Sequence, residues 1–279
     1  MDGLPMAGFS VGSVDRCLEI LEVLADHPEG MPLSVISERF GLPKSATHRL
    51  LMTLSARRFV AQDPVTQHYK PTMRLVTLGF RFLAATKLPE LCQPVLDALA
   101  KETEELVRMS VVDGESLTWV AKAQGARASL RYDPIMGREV VLHATATGKA
   151  WLASLPEPEA VRIALQHGFD TAPVGPKAIH SVEELLRDLR KTRDRGYGIV
   201  SEEAEPGVAA VAAVIRDGST EDAPAVGTVS IAGPSVRMTP PRIAEMVPAL
   251  RAAAAELSAL WPVRQQHLAV RPPPKRAMS

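Results

Sequence analysis

Apolar residues recur at three- and four-residue spacing from residue 13 onward, and the first turns of that pattern define three short helices. Val14, Cys17, Leu18, Leu21, Leu24 and Ala25 form the first stripe, with Ser13 as its expected N-cap and His27-Pro28 as its stop. After Pro28-Glu29-Gly30, Leu33 to Phe40 reads as a second helix with Ile36 and Phe40 inward, broken by Gly41. Pro43 suits the first position of a third helix running to about Ser55, because the N–H it lacks has no partner there anyway. Ala46, Leu50 and Leu54 are its expected core stripe, which leaves Lys44, Ser45, His48, Arg49 and Met52 on the opposite face. Phe59 to Gln62 and His68 to Pro71 then alternate as two short strands about Asp63-Pro64-Val65-Thr66, the pattern of a hairpin.

Helical spacing returns from Leu75 to about Lys87, and again from Pro89 through Leu106 with Leu91, Val95, Leu96 and Leu99. These paired helices are expected to connect two domains and to supply an apolar dimer seam. Beyond them the pattern is mixed. Val107 to Val112, Leu117 to Ala123, Ser129 to Tyr132, Tyr197 to Glu203, Val208 to Arg216 and Ala225 to Ile231 read as strands. His143 to Ser154, Glu157 to His167, Val182 to Arg195 and Arg242 to Leu260 read as helices. The order predicts an α+β chain: residues 13–74 a winged helix-turn-helix, 75–88 a linker helix, and 89–261 a domain with an antiparallel sheet flanked by helices. Residues 1–12 and 262–279 are expected to be disordered, the latter for three consecutive prolines and four basic residues without an acid.

Composition changes this picture little until charge is localised. The chain of 279 residues is neutral overall, 46% hydrophobic and only 4% aromatic. Residues 35–81 hold eight Lys and Arg against Glu38 and Asp63, so a block of +6 sits inside a neutral protein. That is the footprint phosphate contacts require. No apolar run reaches membrane-spanning length and no leader pattern opens the chain, so a cytoplasmic protein without a membrane partner is expected. Cys17 and Cys92 lie far apart on apolar faces and read as core residues. No metal-ligand spacing and no cofactor signature is present, so neither a metal nor a cofactor is expected.

The tight crossing of a helix-turn-helix needs a small residue in its first helix, a glycine in the turn and apolar contacts at fixed offsets. Ser37, Gly41, and the set Ile36, Phe40, Leu42 and Leu50 meet these needs. The third helix then offers Lys44, Ser45, Thr47, His48 and Arg49 to DNA, and Arg57, Arg58 and Lys70 suit backbone contacts from the wing. Arg49 can fork onto guanine or clamp a phosphate, and both remain open. In the second half, Gly148-Lys149 lacks the remaining residues of a phosphate loop. Glu202, Glu203 and Glu205 read as a solvated acidic loop. Ala146-Thr147-Gly148 has two readings: helix N-terminal N–H groups facing a carboxylate, or tight packing by small residues.

The stretch Leu42 to Leu51 followed by Leu54 resembles the recognition helix of IclR-type (isocitrate-lyase-regulator) transcriptional regulators. His143 to Ala150, Glu202 to Val208 and Gly227 to Pro234 resemble further signatures of that family, in the right order, and the resemblance covers residues 13 to about 260. It implies a GAF-like effector domain, a homodimer or dimer of dimers, an operator in double-stranded DNA, and control of carbon-compound catabolism. It also implies effector contacts at Ala146, Thr147, Val200, Val208, Ala210, Ser230 and Ala232. Val200, Ala210 and Ala232 stand where family members that bind very small acids are often polar, which points to a larger or more apolar effector, an aromatic or branched acid. Two other readings of the second half stand beside this one: a domain that only oligomerises, and a small-molecule enzyme, against which the missing catalytic constellation weighs.

Overall fold

The computed structural model describes residues 12–127, 130–134, 140–169, 174–218, 220 and 222–269. The chain divides into two compact units between Ala84 and Ala85. The first holds α1 (Gly12–Ala25), α2 (Leu33–Arg39), α3 (Lys44–Ala56), β1 (Val60–Gln62), β2 (Tyr69–Pro71) and most of α4 (Arg74–Thr86). Ile20, Leu21, Leu24, Ile36, Leu51, Leu54, Val60 and Tyr69 make its core, and Met31 bridges to Tyr69 beside the β1–β2 hairpin. Ser13 lies inside α1 rather than capping it, because the helix already begins at Gly12. The inward stripe of α1 is also narrower than the spacing suggests: Val14 and Leu18 are exposed and Ile20 takes their place.

The second unit holds α5 (Leu88–Thr103), β3 (Leu106–Asp113), β4 (Ser116–Gln124), α6 (Ala146–Ala153), α7 (Glu157–His167), α8 (Val182–Arg195), β5 (Gly198–Ser201), β6 (Val208–Arg216), β7 (Ala225–Pro234) and α9 (Pro240–Ala269). Its five strands run in the order β4-β3-β7-β6-β5, every neighbouring pair antiparallel. Alternation along each strand separates two faces. Val107 and Met109 on β3, Val211 and Ile215 on β6, and Val229 and Ile231 on β7 bury against α5 and α9. Beneath the other face, α6, α7 and α8 pack through Trp151, Leu152, Ile163, Leu185 and Leu189. Each such aliphatic side chain contributes about 1.5–3 kcal/mol on burial.

Three boundaries differ from expectation. Leu106 opens β3 instead of ending α5, since Glu104 takes a left-handed conformation (φ 55°) that stops the helix. Leu130 to Pro134 is irregular where a strand was expected, and residues 128–129 lie outside the described ones. The last helix continues past Pro262 to Ala269, so the expected disordered tail begins too early, and residues 1–11 and 270–279 lie outside the description.

Candidate functional site

In the first unit, Ser37 is buried and its hydroxyl donates to Leu42 O (2.5 Å), while Gly41 turns the chain at φ 61°. That contact sets α3 across α2. Thr47, Leu51 and Leu54 face inward, with Ala46 and Leu50 only half-buried, so the core stripe is rotated by about one residue from the expected one. The rotation removes Thr47 from the outer face: its side chain is 0% exposed and donates to Pro43 O (3.2 Å). A contact from Thr47 to DNA is therefore corrected to a core role. Lys44, Ser45, His48 and Arg49 are exposed on α3, and Arg57 and Arg58 are exposed at its end. Among the described residues none of Lys44, Arg49, Arg57 and Arg58 pairs with a carboxylate, whereas Lys70 is held 3.0 Å from Asp63 across the hairpin. The same Asp63 accepts the N–H groups of Val65 and Thr66, both at 2.9 Å. Those bonds and the Lys70 ammonium hold its carboxyl well below the usual range, with Thr66 the largest cause.

In the second unit the strand register assembles the expected effector positions. Val200, Ala210, Ala232 and Leu106 lie opposite one another across four strands, and the next row on that face is Gly198, Ala212, Ser230 and Arg108. Ala146 and Ala150 of α6 pack onto Val200 and Ala212, with Ala210 alongside. Thr147, Ser230 and Ala232 are buried, and Val208 is half-buried one row further on, opposite Pro234. Close approach needs glycine here. A Cβ on Gly198 would lie 2.2 Å from Ala146 O, and one on Gly148 would lie 2.3 Å from Leu142 O. Tight packing by small residues is thus real at this junction, and Thr145 caps α6 by accepting the Gly148 N–H (3.0 Å).

Several buried or paired charged side chains escape the sequence pattern. Lys149 is 1% exposed, and its ammonium lies 2.8 Å from Asp188 on α8 and 2.5 Å from Glu203 in the β5–β6 connection. Glu203 is accordingly not part of a solvated loop, and burial pushes its carboxyl up against the opposing pull of Lys149. Glu202 pairs with Lys177 (2.7 Å), and Glu205 accepts from the Tyr132 hydroxyl (2.9 Å). Each acid of the cluster therefore has its own partner, with Glu203 withdrawn from solvent while Glu205 is exposed and Glu202 half-buried. Arg108 is the other omission. It projects from β3 onto the face carrying Ser230, its guanidinium carbon 3.8 Å from the Trp119 ring centroid and 5.6 Å from that of Tyr132. Burial lowers its proton affinity and pushes the Tyr132 phenol up to about 12. Strict alternation of Leu106, Arg108 and Ser110 with Val107, Met109 and Val111 was the available signal for Arg108. On the same face His143 is buried with its ring 4.9 Å from that of Phe169. Among the described residues, no group of three or more His, Cys, Asp or Glu side chains is placed to hold a metal, and no helix is long and apolar enough to cross a membrane.

Comparison with known proteins agrees with both units. Residues 13–64 match the IclR helix-turn-helix domain and residues 80–259 match the bacterial transcriptional regulator IclR C-terminal domain. The transcriptional regulator XynR of Escherichia coli K12 is 33% identical over 202 residues, spanning 72% of this chain and 79% of that protein. The transcriptional repressor IclR of the same organism is 31% identical over 236 residues, 84% of each chain. The Thermotoga maritima IclR crystal structure superimposes with a TM-score of 0.67 at 27% identity, covering 89% of this chain and 98% of that one. With a basic helix-turn-helix in one unit, an antiparallel sheet domain in the other and matches across both, the chain belongs to the IclR family of bacterial transcriptional regulators.

Proposed function

We propose that this regulator binds a double-stranded operator through α3 and its wing, and that a small organic acid held on the α6-facing side of the sheet sets its affinity. The observation that carries the reading is the outer face of α3, where Lys44, Ser45, His48 and Arg49 are exposed together, with no carboxylate among the described residues pairing Lys44 or Arg49. Recognition helices meet base edges with such residues near their N-terminus. Arg57 and Arg58 supply phosphate contacts, and Lys70 joins them only by exchanging Asp63 for a phosphate. The effector stripe of Ala146, Thr147, Val200, Val208, Ala210, Ser230 and Ala232 is mostly apolar, with hydroxyls only at Thr147 and Ser230. That lining favours an acid with an aromatic or branched body. Control of genes for breakdown of carbon compounds follows the reading of the family, and α4 supplies a dimer seam through Val76 and Phe80, one turn apart on the same face and 40% and 66% exposed.

The test of the DNA reading uses fluorescence anisotropy of the full chain on promoter fragments from its own gene neighbourhood. Arg49→Ala is expected to cost roughly 1–3 kcal/mol on the preferred fragment. Equal binding of wild type and variant, or no preference among fragments, refutes it.

A further inference from the structure

Arg108 is placed where a cation needs a reason. It stands in the same cross-strand row as Ser230, whose hydroxyl donates to the Arg108 carbonyl (3.4 Å), and so lies on the face of the effector stripe. Its guanidinium stacks on Trp119 with Tyr132 on a second side. Stacking engages the flat face of a guanidinium and leaves its five in-plane N–H donors to be satisfied. The Nε is buried and has no hydrogen-bond partner among the described residues. Glu205 acts on the cation electrostatically, but its Oε1 accepts from the Tyr132 hydroxyl. Buried donors are almost always bonded, and an arginine edge fits a carboxylate with two parallel bonds.

The clamp is itself positioned. The segment carrying Tyr132 is fastened by Lys122 to Asp133 (2.6 Å), by Gln124 donating to Tyr132 O (3.0 Å) and by Arg237 donating to Leu130 O (2.7 Å). Arg237 is fixed in turn by the buried Glu105, accepting at 2.6 and 2.8 Å. A guanidinium held this firmly, with a donor left over, is preorganised for a planar anion.

We infer that Arg108 is the carboxylate anchor of the effector site, its Nε edge gripping the acid group while the acid's apolar body lies toward Ser230, Ala232 and Val200. This assignment rests on the effector reading above and adds the residue that makes the site select acids. It predicts discrimination against neutral isosteres, since an amide places a donor where the guanidinium offers only donors.

The experiment is calorimetric titration and thermal shift of the full chain with benzoate, phenylacetate and isovalerate, each beside its amide. Wild type, Arg108→Met and Arg108→Lys are compared. At least one acid is expected to bind wild type while its amide does not. Arg108→Met should weaken that acid by about thirtyfold or more. Arg108→Lys should fall between them, because an ammonium keeps the charge but loses the fork. Without acid, Arg108→Met should melt no lower than wild type. An acid that binds Arg108→Met as well as wild type overturns the anchor and leaves the effector reading standing, as does equal binding of acid and amide to wild type. A lower melting point with acid affinity unchanged marks Arg108 as a stacking residue only. If none of the three acids binds wild type, the effector reading fails for acids of this kind and the anchor fails with it. Should Arg108→Met not fold, the acid–amide contrast and Arg108→Lys still decide.

Discussion

Replacing Lys149 by Met removes the cation between Asp188 and Glu203 while keeping most of the side chain's volume. Two carboxylates are then left beside each other without compensation. Removing one partner of a buried ion pair costs about 3–5 kcal/mol. The Glu203 and Asp188 side chains keep 15% and 24% of their exposure, so water relieves part of the penalty and the lower end, about 3 kcal/mol, is the expectation. For a unit of this size that corresponds to a fall in midpoint of roughly 6–12 °C. The assay is thermal unfolding followed by tryptophan fluorescence, because Trp119, Trp151 and Trp261 all lie in the second unit and report it alone. The deficit should also depend on pH. Burial already raises the Glu203 carboxyl in the folded protein, and Lys149 opposes that rise. Without Lys149 the folded state holds a proton that the unfolded chain has released, so stability increases as pH falls through the window above the ordinary glutamate value. The gap between variant and wild type should therefore narrow as pH falls from neutral toward the ordinary glutamate value. A loss below about 1 kcal/mol, or a gap that does not change with pH, refutes a stabilising role for the Lys149 ion pairs. Adding Glu203→Gln to the Met variant should recover part of the loss.

Two further outcomes test the first unit. Arg57→Ala should weaken binding to all DNA sequences alike and flatten the salt dependence by about one phosphate contact, measured as the slope of log affinity against log salt. A sequence-selective loss would assign Arg57 to base reading instead. For the wing, Asp63 has its folded carboxyl depressed, so its contribution is present above the ordinary aspartate value and is lost only as pH falls toward the folded value. The amide resonances of Val65 and Thr66 should thus hold their positions until below about pH 3, and a midpoint near that of an ordinary aspartate would show that the turn is not held by this side chain.

The periodic elements were legible because burial on one side of a helix or strand leaves its period in the sequence. α7, α8 and β6 end where the apolar spacing ends, since Gly168 and Gly196 close the helices and the strand is apolar up to its last residue, Arg216. The misread boundaries have local causes that hydrophobic pattern does not carry. Glu104 stops α5 with a left-handed conformation that asparagine or glycine would have advertised, and Pro262 does not end α9. The one-residue rotation of α3 arises because Thr47 buries its hydroxyl by returning it to Pro43 O, so a polar residue occupies a core position at little cost.

The site was less legible for a related reason. A charged residue reads as exposed in a sequence, because an unpaired buried charge is too costly to expect. Lys149 and Arg108 each escape that cost by a contact made far along the chain. Lys149 meets Glu203, fifty-four residues on, only because α6 lies against the β5–β6 connection. Arg108 stacks on Trp119 only because β3 and β4 slip register between Met109 and Ser110, so that Trp119 comes opposite Ser110. The two cations differ in what they leave undone. Lys149 has two carboxylates and ties α6 to α8 and to the β5–β6 connection. Arg108 has two rings and a buried Nε with no acceptor among the described residues. A buried cation paired with carboxylates explains stability, and one with no carboxylate among the described residues leaves room for an acid ligand. The glutamate motif therefore divides its labour: Glu203 serves the first cluster, and Glu205, through Tyr132, touches the second. An acid arriving at the Arg108 edge lies beside Tyr132, and Tyr132 is bonded to the same β5–β6 connection that Lys149 anchors.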